Sequence, residues 1–162
     1  MRRIAHILPA AAIVLTAVAC SSIDCPLNSR VMLACKFGDE ADKLPDSLTV
    51  STTKTDGEDS VLVNRVYKAD SVALPMSYKA GADTYYLDFT LADKSHVIDT
   101  LTVEKTNLPH FESVDCNPMM FHDITNVRHT AHRISSVTIN ANHVTYDADK
   151  AHIIIYLKDS GE

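Results

Sequence analysis

An antiparallel β-sandwich is the fold this chain predicts, on three observations. Short stretches alternate apolar and polar side chains with a period of two and are rich in Val, Thr, Tyr and Phe. Turn-forming residues separate them at the close spacing of all-β domains. No segment sustains apolar residues at i, i+3, i+4 and i+7, the pattern an amphipathic helix needs. Immunoglobulin-like topology is the leading form and a small β-barrel the alternative.

Residues 1–19 stand outside that fold. Arg2 and Arg3 make a positive start, Ile7 to Val18 an apolar run, and Ala17-Val18-Ala19 a small-residue cleavage region before Cys20, the layout of an export signal. The run is shorter than the roughly 20 apolar residues of a membrane-spanning helix, so the mature chain is expected to be exported and not integral. A cysteine directly after such a run resembles the bacterial lipobox, in which the thiol is acylated and the signal cut before it. The usual Leu at the third position back is here Ala17. Two or three acyl chains, at about 0.8 kcal/mol per buried methylene, hold a protein stably on a membrane. The expected organisation is a signal at 1–19, a lipidated Cys20 with a short tether to residue 29, and one sandwich domain over 30–162.

The first strand is expected at 30–37, with Val31, Leu33, Cys35 and Phe37 on one face, followed by an acidic turn over 38–46. Residues 47–53 alternate Leu48 and Val50 with Ser and Thr, and Asp56-Gly57 joins them to a partner at 61–68 in the clearest hairpin. Pro75 confines 71–78 to an edge or an irregular segment, because proline brings no N–H to a ladder. Residues 84–91 set Tyr85, Leu87, Phe89 and Leu91 toward the core, and Ala92 to Lys94 is a tight connection.

The stretch from Asp99 to Cys116 organises the rest. Leu101 and Val103 face one way and Thr100, Thr102 and Glu104 the other, which predicts a central, half-buried strand. Asn107 to Pro109 reads as a corner leading to a second strand and Cys116. Residues 117–126, with Pro118, Met119, Met120 and Phe121, read as an irregular hydrophobic plug. Strands near 135–140 and 152–157 follow, joined by a loop containing Tyr146. Asp46-Ser-Leu-Thr-Val-Ser-Thr-Thr53 echoes Asp99-Thr-Leu-Thr-Val-Glu-Lys-Thr106 at Asp, Leu, Thr, Val and the last Thr. Equivalent strands in facing sheets would account for the echo, and so would the Thr-rich composition of strands in general.

Removing the signal takes Arg2 and Arg3 from 15 basic side chains and leaves all 21 acidic ones, a formal charge of −8. Nothing in so acidic a domain would neutralise a run of phosphates, so nucleic acid is not an expected partner. With Cys20 lipidated, Cys25, Cys35 and Cys116 remain in an oxidising compartment, enough for one bridge. Cys25 and Cys116 both follow Asp and lie beside a proline at apparent boundaries, whereas Cys35 alternates with core residues along a strand. These contexts favour Cys25 with Cys116 over the two other pairings.

Chemistry-bearing motifs are sparse. His122, His129 and His132 fall within eleven positions and are the candidate metal ligands, since zinc needs three or four such groups converging at about 2.0–2.2 Å. The pair His129 and His132 differs in parity along a strand, and no His-Glu-x-x-His helix is present. A solvated polar strand is therefore the favoured reading, with no metal and no cofactor. There is no Gly-x-Ser-x-Gly elbow or glycine-rich phosphate loop, and a catalytic Cys116 would conflict with the bridge. The chain is not expected to be an enzyme.

The segment Cys20-Ser-Ser-Ile-Asp-Cys-Pro-Leu-Asn28, the stretch 46–53, Leu74-Pro-Met-Ser-Tyr78, the run Lys105-Thr-Asn-Leu-Pro-His-Phe-Glu-Ser-Val-Asp-Cys116 and the ending around 140–157 together resemble a family of uncharacterised Bacteroidota envelope lipoproteins. The resemblance spans essentially the mature chain. It implies an outer-membrane lipoprotein, supports the pairing of Cys25 with Cys116, and brings no catalytic residue or cofactor. With only Asp24 acidic close to Cys20, a periplasmic-facing position is expected over a surface-exposed one. The function expected is a non-catalytic accessory or scaffold subunit, held to the membrane by its lipid, beside an outer-membrane β-barrel. A binding module for a metal ion or glycan is the alternative, and an envelope hydrolase the third reading.

Overall fold

Side chains alternating between two environments need two faces, and the chain supplies them as strands stacked in two sheets. The computed structural model describes residues 25, 31–38, 44–54, 57–146 and 150–158, so Cys20 and most of the tether lie outside the described residues. Ten strands follow in order: β1 (Met32–Phe37), β2 (Ser47–Thr53), β3 (Asp59–Tyr67), β4 (Ser71–Pro75), β5 (Ala82–Thr90), β6 (His96–His110), β7 (Met119–His129), β8 (Ile134–Ile139), β9 (His143–Val144) and β10 (Ile153–Leu157). They form one sheet in the order β4-β1-β10-β8 and a second in the order β3-β2-β5-β6-β7-β9. All pairings are antiparallel except β1 with β10, where Cys35 sits opposite Ile153.

The expected β-sandwich is what forms, and one of its sheets curls into a half-barrel. It packs two mostly antiparallel sheets as immunoglobulin domains do, with ten strands among the described residues where those domains have seven to nine. Leu33, Cys35 and Phe37 from β1, Leu48 and Val50 from β2, Leu87 and Phe89 from β5, and Ile153 and Ile155 from β10 meet in one core. Each such burial contributes roughly 1.5–3 kcal/mol for a Leu, Ile, Val or Phe. Tyr85 is buried among them and donates its hydroxyl hydrogen to the Pro75 carbonyl at 2.9 Å, tying the two sheets together. The β2–β3 turn uses Gly57 at a φ of 86°, a left-handed conformation that a side chain would strain.

Three expectations are corrected. Asn107 to Pro109 is no corner: β6 runs unbroken to His110, with Pro109 opposite Met120. Pairing with β5 ends at Glu104, so beyond it β6 is an edge on that side and the missing proline N–H costs no ladder bond. Residues 117–126 are no plug, because β7 begins at Met119. The alternation is hidden there because both faces are covered, Met119 and Phe121 on one side and His122 and Ile124 on the other. The echoing segments lie in the same sheet and not in facing ones, with β5 between β2 and β6.

The inward row of β6 reads Asp99, Leu101, Val103, Lys105, all buried, with a charge at each end. The Asp99 carboxylate accepts hydrogen bonds from Thr130 Oγ1 at 2.7 Å and from the backbone N–H groups of His132, Arg133 and Ile134 at 2.8, 2.7 and 2.8 Å. These donors belong to the crossover by which the chain leaves β7 in one sheet for β8 in the other. Burial alone would push the Asp99 carboxyl up, but these bonds outweigh it and hold the group below the usual carboxylate range. Arg133 then spans to Asp46, before β2, with Nε donating to Oδ2 at 2.7 Å, and its Nη1 donates to the Lys158 carbonyl after β10.

Asp99→Asn places an amide NH2 against these donors and is expected to cost about 2–5 kcal/mol, while Thr130→Val, which removes one of the four bonds to Asp99 and the acceptor of the Thr100 N–H, costs about 1–2. Urea denaturation of the three proteins checks both values. Equal, small losses would show that the crossover is held by packing instead.

Candidate functional site: the bridged β6–β7 loop and the aromatic patch at its base

β6 and β7 are joined by Phe111 to Pro118, and this loop is tied to the amino-terminal segment by a disulfide. Cys25 and Cys116 are bonded with their Cα atoms 5.6 Å apart, closing a separation of 91 residues. Cys116 is buried, and its N–H reaches back to the Ser113 carbonyl at 3.2 Å, so Val114 and Asp115 form the tip of a turn. Val114 is wholly exposed and Phe111 is 67% exposed. Cys35 is the remaining thiol among the described residues; burial pushes its pKa far up, which leaves it an unreactive core group.

At the base of the loop, on the outer face, three rings gather around Phe121. His110 stacks on it at 4.2 Å, Tyr146 lies tilted at 5.5 Å and His143 meets it edge-on at 6.0 Å. Each histidine is oriented by a carboxylate: His110 Nε2 donates to Glu112 at 2.8 Å, and His143 Nδ1 donates to Asp123 at 2.6 Å. The result is a half-exposed surface of ring faces rimmed by hydrogen-bonded imidazole–carboxylate pairs. Spacing could not reveal it, because its members come from β6, β7, β9 and the segment beyond.

On the inner face of the same hairpin lies a buried polar network. Lys105 Nζ donates to the carbonyls of Ser77 and Ala80 and to Asn107 Oδ1 at 2.5, 2.9 and 2.7 Å, and sits 3.5 Å from Asp83. Asp83 in turn accepts the Ser77 N–H at 3.1 Å. Burial pushes Asp83 up and Lys105 down, and each is drawn back by the other's charge. The pair clamps the link between β4 and β5, which walls an open groove of about 670 Å³ lined by Thr52, Tyr86 and Ser77 among others. His122 shares Asn107 Oδ1 at 2.8 Å, so its Nδ1 carries the proton, and Nε2 is buried without a hydrogen-bond partner. Burial and the neighbouring Lys105 charge push its pKa down to about 4.

The three candidate metal ligands do not converge. His122 is in the core, His129 donates from Nδ1 to the Thr130 carbonyl at 2.8 Å, and His132 is exposed in the crossover that Asp99 holds. Among the described residues no group of three His, Cys, Asp or Glu side chains could hold a metal ion. Cys20 lies outside the described residues, whereas the expected pairing of Cys25 with Cys116 is formed.

Fold and bridge define a disulfide-bonded β-sandwich domain whose one long hairpin carries its distinctive surface. The chain belongs to a family of unknown function, DUF6452, matched over residues 47–157. No curated protein and no solved structure matches it.

Two measurements test this geometry. Cys25→Ser and Cys116→Ser should each lower stability by about 2–5 kcal/mol, because either opens a very long closed loop, and the double variant should lose no more than a single one. Cys35→Ser costs less, through packing alone. Non-reducing peptide mapping checks the linkage, and denaturation checks the non-additivity. The second concerns pH. In the folded state His122 stays neutral down to about pH 4, and His152, whose Nδ1 accepts the Ala34 N–H at 2.9 Å, is likewise pushed down by burial and by His143. Unfolded histidines take up protons near pH 6.5, so this stability is complete above that value and falls as pH drops toward 4, by up to about 1.4 kcal/mol per pH unit for each proton. Denaturation midpoints at pH 7.5 and 5 should differ accordingly, with imidazole NMR signals of His122 unmoved between them.

Proposed function

We propose that the protein is a lipid-anchored envelope protein of the Bacteroidota type, acylated at Cys20, and that it serves as a non-catalytic accessory or scaffold subunit beside an outer-membrane β-barrel. The observation that carries this reading is the Cys25–Cys116 bridge. Cys25 stands five positions after Cys20 and is covalently part of the domain, so a lipid on Cys20 holds the sandwich itself close to the membrane. The half-exposed aromatic patch around Phe121 is the kind of surface that meets another protein, with apolar ring faces rimmed by charge. A periplasmic-facing outer-membrane position agrees with the few acidic residues near Cys20. A glycan-binding module is the second reading, favoured by the groove beside Thr52, Tyr86 and Asp83, where hydroxyls and a ring line one concavity.

Cys20→Ala should move the protein from the membrane to the soluble fraction and abolish labelling by a clickable fatty acid. Label retained on that variant would reject the anchor. For the role, capture of the lipidated protein from membranes should recover a β-barrel protein, and recovery should fall when His143→Ala and Tyr146→Ala open the patch. Saturable oligosaccharide binding lost in Tyr86→Ala, with no such recovery, would favour the glycan reading.

A further inference from the structure

We infer that the β6–β7 loop is the membrane-facing tip of the domain: Phe111 and Val114 enter the interface of a zwitterionic bilayer and fix the orientation of the sandwich on it. This rests on acylation of Cys20. Scattered exposed apolar side chains are ordinary, and Val61, Tyr67, Ile98 and Ile139 stand singly on strands. Phe111 and Val114 differ in sharing one short loop, three positions apart. Val114 also occupies a turn tip, where Gly, Asn, Asp, Pro or Ser would serve the backbone better and a β-branched side chain does nothing for the fold. It is wholly exposed, so no packing among the described residues explains it.

The bridge supplies the partner. Five residue steps from Cys20 to Cys25 reach at most about 17 Å when fully extended. Cys25 is bonded to Cys116, two residues from Val114. A lipid on Cys20 therefore keeps the loop within a short distance of the headgroups, and membrane-bound apolar side chains settle about 5–10 Å into that boundary. Glu112 is paired with His110 at 2.8 Å, which lowers the cost of bringing that carboxylate to the interface. The net charge of −8 on residues 20–162 selects zwitterionic over anionic lipid.

The chain contains no Trp, so a single indole reports its own surroundings. Lipidated Val114→Trp and Phe111→Trp proteins, and Val61→Trp on β3 at the opposite edge of the six-stranded sheet, are reconstituted into phosphatidylcholine vesicles with brominated acyl chains. The indoles at 114 and 111 should emit at shorter wavelength and be quenched at least twofold more than the one at 61. Co-sedimentation reads the anchor separately. A protein that fails to sediment overturns the anchor, and the orientation with it. A protein that sediments with equal quenching at all three positions overturns the orientation alone. An indole at 114 that is shielded from iodide in native membranes, yet unquenched in the pure-lipid vesicles, assigns the loop to a protein partner and also overturns the proposal.

Discussion

One carboxylate closes the sandwich. Asp99 is fully buried and points into the core from a central strand, a placement that would cost several kcal/mol if its charge were unpaired. Four donors converge on it, three of them consecutive backbone N–H groups. A crossover between sheets leaves its own N–H groups without ladder partners, and buried backbone donors must be satisfied somewhere. Acid and crossover therefore solve each other's problem, and the position at which β8 enters the second sheet follows from it.

The other end of the same row repeats the device with the opposite sign. Lys105 offers hydrogens to carbonyls of the β4–β5 link, the segment that carries the chain between sheets in the other direction. β6 thus works as a bar whose apolar middle, Leu101 and Val103, packs the core while its charged ends hold two inter-sheet connections. Arg133 extends the first clamp to Asp46 and to the end of β10, so residues far apart in sequence share one polar cluster. Such networks are high-stakes: fully satisfied they select one arrangement, and losing one member leaves buried charge behind.

The two clamps and the disulfide act on the same hairpin. β6 runs directly from the Lys105 clamp into the bridged loop, and β7 returns from that loop to the Asp99 clamp. The hairpin that carries Phe111, Val114 and the patch around Phe121 is therefore continuous with the firmest part of the core. The disulfide joins the amino-terminal segment to this hairpin instead of to an edge strand.

Much was legible in residues alone, because strand periodicity and turn chemistry are local. The alternations at 47–53 and 84–91 predicted β2 and β5, Pro75 predicted an edge strand, and the matching Asp-Cys contexts predicted the bridge. Where two faces of a strand are both covered, as at Phe121 and His122, the alternation disappears, and the strand could not be read. Proline at position 109 looked like a corner because its neighbour on one side is a fact of sheet order. The parallel pairing of β1 with β10, the aromatic patch and the burial of Asp99 and Lys105 depend on contacts between distant segments. The sequence by itself determined which residues alternate and which cysteines suit a bridge; only the tertiary structure decided which polar groups go inside, because a charge is buried only where partners from elsewhere in the chain arrive to satisfy it.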